Sequence, residues 1–309
     1  MCSLIIIMEW FKQIFGGGGL DKEEIARLIK DISEEDAIRD YELLKQIDLS
    51  TVSNAITGNK FVDHFTFVQR LETISKKGMS YFEFAEDTEY QNRPYIQNLM
   101  KYHKGEERYS ALYKVFTLHC GTIGLFKPIS AMEIYNRFKP TTVLDFTMGW
   151  GGRLVGACAL DVPNYIGIDS NMTLKEPYSK MTKLLKKLGT KTKIKLIFKD
   201  ALKVDYSKLN YDFVFTSPPY YNIELYQGTT KKTDEEWDST FYIPIFTKTY
   251  QHLKKGGYYV LNISSKLYET VCVELFGPAT MLIPFKIKPR QKHHKTDKDY
   301  NEYLYVWKK

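Results

Sequence analysis

Four cysteines are scattered through the 309 residues (Cys2, Cys120, Cys158 and Cys272), and no two form a C-x-x-C pair. That spacing excludes a disulfide framework and a cysteine-based zinc site. It predicts reduced thiols in an intracellular, cytoplasmic protein. Long hydrophobic runs are also missing. The apolar start, Leu4 to Met8, is too short to span a bilayer and lacks the basic lead of a secretory signal, so a soluble protein with no membrane partner is expected. His293 and His294 have no third ligand at metal-site spacing, so no metal is expected. Nor is there a dinucleotide fingerprint. Counted from Gly149, the third glycine of G-x-G-x-x-G falls on Leu154, which disfavours a pyrophosphate-binding turn and a nicotinamide dehydrogenase with it. No internal repeat, low-complexity tract or nuclease motif occurs. An excess of acid is absent as well: the net charge is +7, which suits a polyanionic partner and equally a basic soluble protein.

What the chain does have is aromatic residues, 15% of the total, and one stretch around which the rest is organised, YDFVFTSPPYYN from Tyr211 to Asn222. Phe213, Val214 and Phe215 form a short apolar run that suits a buried strand of a parallel sheet. Ser217, Pro218, Pro219 and Tyr220 end it. Two successive prolines fix φ twice and remove two N–H donors, so the main chain stops pairing and turns its carbonyls outward. A rigid turn explains the triplet on its own. At the C-terminal end of a strand it is also a ledge where ligands of open α/β sheets bind, and its hydroxyl, carbonyls and ring suit a flat, polar amine.

Upstream, TTVLDFTMGWGGRLVGACAL supplies a strand, a glycine turn and a helix. Asp145 ends the strand, and Gly149, Gly151 and Gly152 allow close backbone approach. A carboxylate such as Asp145 beside a glycine loop suits a cationic, phosphate-free ligand. Asn164 to Asp169 reads as the second strand, ending in an acid placed to accept bonds from ribose hydroxyls. Ile194 to Phe198 is the third, followed by Asp200. Lys127-Pro128 starts an amphipathic helix. The stretch from Glu236 to Leu253 reads as helix that Pro244 should kink or divide, and Tyr258 to Ile263 as a strand. Leu282 to Lys288 and Glu302 to Trp307 suit a terminal hairpin. Between its strands Lys286, Lys288, Arg290, Lys292 and Lys295 either sit on nucleic-acid phosphates or form a solvated loop.

The N-terminal part divides into a flexible arm over 1–19, ending in four glycines, and a helical accessory region over 20–119 suited to target recognition. Two short helices are predicted between Asp21 and Ile47, and a helix-turn-helix with Thr57-Gly58-Asn59 as its turn fits the apolar blocks that follow. Tyr81 to Tyr95 reads as loop.

The order of the glycine turn, the strand-end acids and TSPPYYN resembles the DNA amino-methyltransferases, whose signature is Asp, Asn or Ser followed by Pro-Pro and an aromatic residue. The DFxxGWGGRL variant is similar to DNA methylases of phages and large DNA viruses. It keeps the acid and glycines of the family's D-P-F-x-G-x-G but loses the Pro-Phe pair, so either Phe146 or Trp150 packs near the cofactor. The resemblance covers residues 120–309 and implies an α/β fold: a Rossmann-like class I methyltransferase sheet with a terminal β-hairpin. It implies S-adenosylmethionine as cofactor, with Lys127 and Pro128 at its methionine end, Asp145, Gly149 and Gly151 at the turn, Asp169 on ribose and Asp200 on the adenine amine. It implies Ser217, Pro218, Pro219 and Tyr220 as catalytic residues acting on a base flipped out of double-stranded DNA. Ser in the first position favours cytosine N4 over adenine N6. RNA or protein methyl transfer by the same fold, or a silent DNA-binding subunit, are the alternatives. A viral enzyme would work in the host cell.

Overall fold

A computed structural model describes residues 20–50, 56–221, 232–284 and 303–309. The flexible arm and the basic cluster from Lys286 to Lys295 lie outside the described residues. At the centre is a seven-stranded sheet: β1 Thr142–Asp145, β2 Asn164–Asp169, β3 Lys193–Phe198, β4 Phe213–Thr216, β5 Tyr258–Asn262, β6 Met281–Pro284 and β7 Tyr303–Lys308. The order is β3-β2-β1-β4-β5-β7-β6. The first five strands run parallel, and β7 inserts antiparallel between β5 and β6. This is a Rossmann-like sheet with an antiparallel terminal pair, the architecture that the resemblance implies.

Strands this apolar are buried on both faces, and their side chains alternate between two cores. Val143, Phe213, Phe215, Val260 and Val306 pack with Met132 and Tyr135 of the Pro128–Phe138 helix and Leu154 and Val155 of the Gly152–Ala159 helix. Leu144, Val214, Tyr259, Leu261 and Trp307 pack with Tyr242, Ile245 and Phe246 on the opposite face. Gly152 is required by close approach. A Cβ there would lie 1.7 Å from the Phe126 carbonyl oxygen, so only glycine lets this helix meet the chain entering Pro128.

Pro244 divides its helix as predicted, in a specific way. Asp234–Trp237 and Ile243–His252 are α-helical, and Asp238–Tyr242 between them forms a π turn. The wider turn accommodates the proline, which has no N–H to donate.

The N-terminal region is helical, with Lys22–Ile29, Glu34–Gln46, Asn59–Leu71 and Arg108–Cys120 its longer members. Two expectations there are corrected. Residues 81–95 are not loop: Ser80 and Glu83 form a reciprocal cap that starts a helix over Tyr81–Glu86, and a further turn covers Thr88–Gln91. Among the described residues no helix-turn-helix is formed: Gly58 is the N-cap of Asn59–Leu71 and the described helix before it ends at Gln46, while residues 51–55, directly before the expected turn, lie outside the described residues. Helices Glu34–Gln46 and Asn59–Leu71 place Ala37, Tyr41, Leu44, Phe61 and Val62 in the same core as the sheet, so a boundary at 119/120 cuts through shared packing.

Candidate active site

β1 and β4 are neighbours although β2 and β3 lie between them in sequence, so the chain leaves the sheet in opposite directions at this point and a crevice opens at the strands' C-terminal ends. A cavity of about 530 Å³ occupies it. Its lining comes from the end of each of four successive strands: Phe146, Thr147, Gly149 and Trp150 after β1; Asp169 and Asn171 at β2; Asp200 and Leu202 after β3; Ser217 and Pro219 after β4. The far wall is Lys232, Trp237, Thr240 and Phe241. Phe146 and Trp150 therefore both border the cavity. Lys127, Pro128, Asp145, Gly151, Pro218 and Tyr220 are not among its lining residues.

Asp145 is the main correction. Its side chain is fully buried and accepts from Arg153 Nε at 2.7 Å and Nη2 at 3.1 Å, from the Tyr165 hydroxyl at 2.6 Å and from Thr216 Oγ1 at 2.7 Å. The cation it faces is thus internal. Arg153, with only 4% of its surface exposed, also donates to the Thr147 carbonyl at 2.5 Å. A buried carboxylate keeps its charge only with such partners. Asp145 ties β1, β2, β4 and the glycine-turn helix together and positions the cavity floor without touching its contents. Gly151, at φ 103°, is the N-cap of the Gly152–Ala159 helix, and a Cβ there would meet the Met181 methyl at 2.9 Å. Pro128 is the first residue of its helix, buried against Gly58 and Gly156, with Lys127 half-buried ahead of it.

Asp169 faces the cavity. Its two oxygens accept N–H bonds from Gly149 and Asn171, each at 2.9 Å. Burial outweighs these donors and raises its pKa to about 6. Asp200 caps the next turn through Leu202 N–H at 3.0 Å, and its other oxygen lies 3.8 Å from Lys203 Nζ.

The proline ledge is bolted from both sides. Thr147 Oγ1 gives its one proton either to the Ser217 carbonyl at 3.1 Å or to Thr216 Oγ1 at 2.6 Å, whose own proton goes to Asp145. Tyr242, fully buried on the π turn, donates its hydroxyl to the Pro219 carbonyl and accepts from Tyr221 N–H at 2.9 Å. Tyr221 has φ 48°, a backbone conformation that non-glycine residues rarely adopt, and its own hydroxyl reaches Asp238 at 3.0 Å. The Tyr220 hydroxyl donates to the Asn262 carbonyl at 3.1 Å. Ser217 Oγ, by contrast, is buried with no partner among the described residues.

Sequence reasoning missed Thr147, Arg153, Trp237, Phe241, Tyr242 and Asn262. Only Arg153 left a signal: an arginine in the otherwise apolar helix GRLVGACA needs a buried partner. Among the described residues no cluster of metal-binding side chains occurs, and no helix is long and apolar enough to cross a membrane.

No family model and no curated protein matches the sequence. Solved structures with a similar fold include TrmN from Thermus thermophilus, 14% identical with a TM-score of 0.39 over 60% of this chain and 50% of that one. A methyltransferase homolog protein from Pyrococcus horikoshii is 17% identical with a TM-score of 0.38, covering 52% of this chain and 53% of that one. An rRNA methylase from Streptococcus thermophilus is 14% identical with a TM-score of 0.35, covering 59% of this chain and 96% of that one. The chain spans about half the length of the first two.

Proposed function

We propose that this protein is an S-adenosylmethionine-dependent DNA methyltransferase acting on an exocyclic base amine, cytosine N4 in preference to adenine N6. The observation that carries the reading is Ser217 Oγ: a buried, unpartnered acceptor at the edge of a cavity that also presents Asp169 and Asp200. Natural structures rarely leave such an atom unsatisfied, and at a ligand site the missing partner is the ligand.

The residues fit the cofactor. Asp169 has a carboxylate for ribose hydroxyls, and Asp200 has an oxygen for the adenine amine. Phe146, Leu202, Trp237 and Phe241 offer apolar walls for a purine. When bound, the cofactor supplies an electrophilic sulfonium methyl group. The chain's own residues prepare the nucleophile. A base amine is a weak nucleophile because its lone pair is delocalised into the ring. Ser217 Oγ and the Pro218 carbonyl, which accepts no hydrogen bond from the described residues, would accept its two N–H groups and favour a pyramidal nitrogen. Tyr220, its hydroxyl held at the end of β5, would stack on the flipped base. Alignment and fixed dipoles supply the rate, with no general base required. Basic residues Lys286, Lys288, Arg290, Lys292 and Lys295 would meet DNA phosphates.

The test is incubation with unmethylated double-stranded DNA and labelled S-adenosylmethionine, followed by nucleoside mass spectrometry. N4-methylcytosine is the expected product. N6-methyladenine would correct the base, label in RNA or protein would overturn the DNA assignment, and no transfer to any of them would overturn the reading.

A further inference from the structure

Five buried side-chain polar atoms lack a partner among the described residues, and two of them, Ser217 Oγ and Asn262 Oδ1, belong to residues at neighbouring strand ends. Asn262 ends β5 and is only 6% exposed. In the parallel β4–β5 ladder Thr216, the last residue of β4, pairs with Leu261, so Asn262, the last residue of β5, lies beside the start of the proline ledge at Ser217. An unsatisfied buried acceptor destabilises a fold, and two on neighbouring strand ends double the penalty with no internal compensation.

We propose that the Asn262 side-chain carbonyl is a further acceptor for the target amine, sharing with the Pro218 carbonyl the N–H that Ser217 Oγ does not take, and that it selects against bases that carry oxygen at that position. The inference rests on the amine-methyltransferase reading and adds a residue to it. Register supports it: the Ser217 and Asn262 side chains leave backbones one strand spacing, about 4.8 Å, apart, within reach of a single nitrogen. A keto oxygen in the same place would face the lone pairs of Asn262 with no proton to share, and that mismatch rejects it. Asn262 also places the aromatic platform, because its main-chain carbonyl receives the Tyr220 hydroxyl at 3.1 Å. One residue therefore sets both the plane of the base and the hydrogen-bonding character of the group at its edge.

The test compares binding of cytidine and adenosine with their amine-free analogues, pyrimidin-2-one riboside and purine riboside, by ligand-observed NMR titration of the full chain. Wild-type protein is expected to bind at least one amine-bearing nucleoside about tenfold more tightly than its analogue. Asn262→Leu, which keeps the main-chain carbonyl, should lose most of that preference, and Asn262→Asp, which keeps an acceptor, should retain it. Unchanged circular dichroism and cofactor affinity establish that the variants are folded. A folded Asn262→Leu variant with the wild-type preference overturns the proposal, as does a wild-type protein with no preference. Binding is read without methyl transfer, so failure of the acceptor role is distinguishable from failure of the DNA methyltransferase reading.

Discussion

Ser217 shows how a single residue can be costly to the fold and useful to the site. Its hydroxyl is buried without a partner among the described residues, so Ser217→Ala removes an unsatisfied group and, on the proposed reading, deletes an acceptor for the substrate. The expected outcome is a variant about 1 kcal/mol more stable in urea titration, with methyl transfer reduced at least tenfold and cofactor affinity unchanged. A loss of stability, or no change in transfer, would remove Ser217 from the proposed chemistry. Asp169 gives a pH signature. Its folded carboxyl holds a proton up to about pH 6, whereas an unfolded one releases it near pH 4. The folded state binds the extra proton, so the contribution of Asp169 to cofactor-free stability is fully present below about pH 4 and is lost as pH rises through about 6. Cofactor affinity runs the other way, because ribose hydroxyls donate to the ionised form. Calorimetry should show affinity falling as pH drops through about 6, and Asp169→Asn should flatten that dependence.

At the scale of elements, the ledge depends on a helix defect. The π turn over Asp238–Tyr242 carries Tyr242, whose hydroxyl joins the Pro219 carbonyl to the Tyr221 N–H. Tyr242→Phe leaves both main-chain groups without that partner, at a cost of about 1–3 kcal/mol, and frees the strained Tyr221 to relax. Transfer should fall about tenfold while kcat drops more than KM rises, which steady-state kinetics would resolve. None of this was legible beforehand. Pro244 signalled a break in the helix, but nothing in the local pattern said that the break would deliver a hydroxyl to a loop twenty residues upstream. β1, β2 and β4 were legible because each is a short apolar run ending in an acid or running into a proline pair. The direction of the first acid was not. Asp145 looks like Asp169 and Asp200 in sequence, and only tertiary packing shows that Arg153, on the following helix, claims it. The helices at Tyr81–Glu86 and Thr88–Gln91 were hidden for a similar reason, since aromatic side chains that read as loop packing are held in place by a local cap.

Across the whole molecule, the N-terminal helices are part of the active-site scaffold. Thr66, on helix Asn59–Leu71, donates its hydroxyl to the Trp150 carbonyl at 3.0 Å, directly beside the glycine turn that lines the cavity. Gly58 lies so close to Pro128 that a Cβ would approach to 2.9 Å, which packs the entry of that helix tightly against the sheet-bearing half. Tyr41, Leu44, Phe61 and Val62 are fully buried against the sheet-side helices, and full burial of each large apolar side chain stabilises by about 1.5–3 kcal/mol. Removing residues 1–119 would expose this surface at once, and the loss rivals the net stability of a typical domain. A chain beginning at residue 120 is therefore expected to lose cooperative thermal unfolding and to bind S-adenosylmethionine at least a hundredfold more weakly than the full chain. Differential scanning calorimetry and equilibrium dialysis would check both. A truncated chain that melts cooperatively and keeps its cofactor would establish the accessory helices as an independent recognition module. Failure in both measurements would mean that the region contributes to catalysis by holding the glycine turn in place, whatever it also contributes to target recognition.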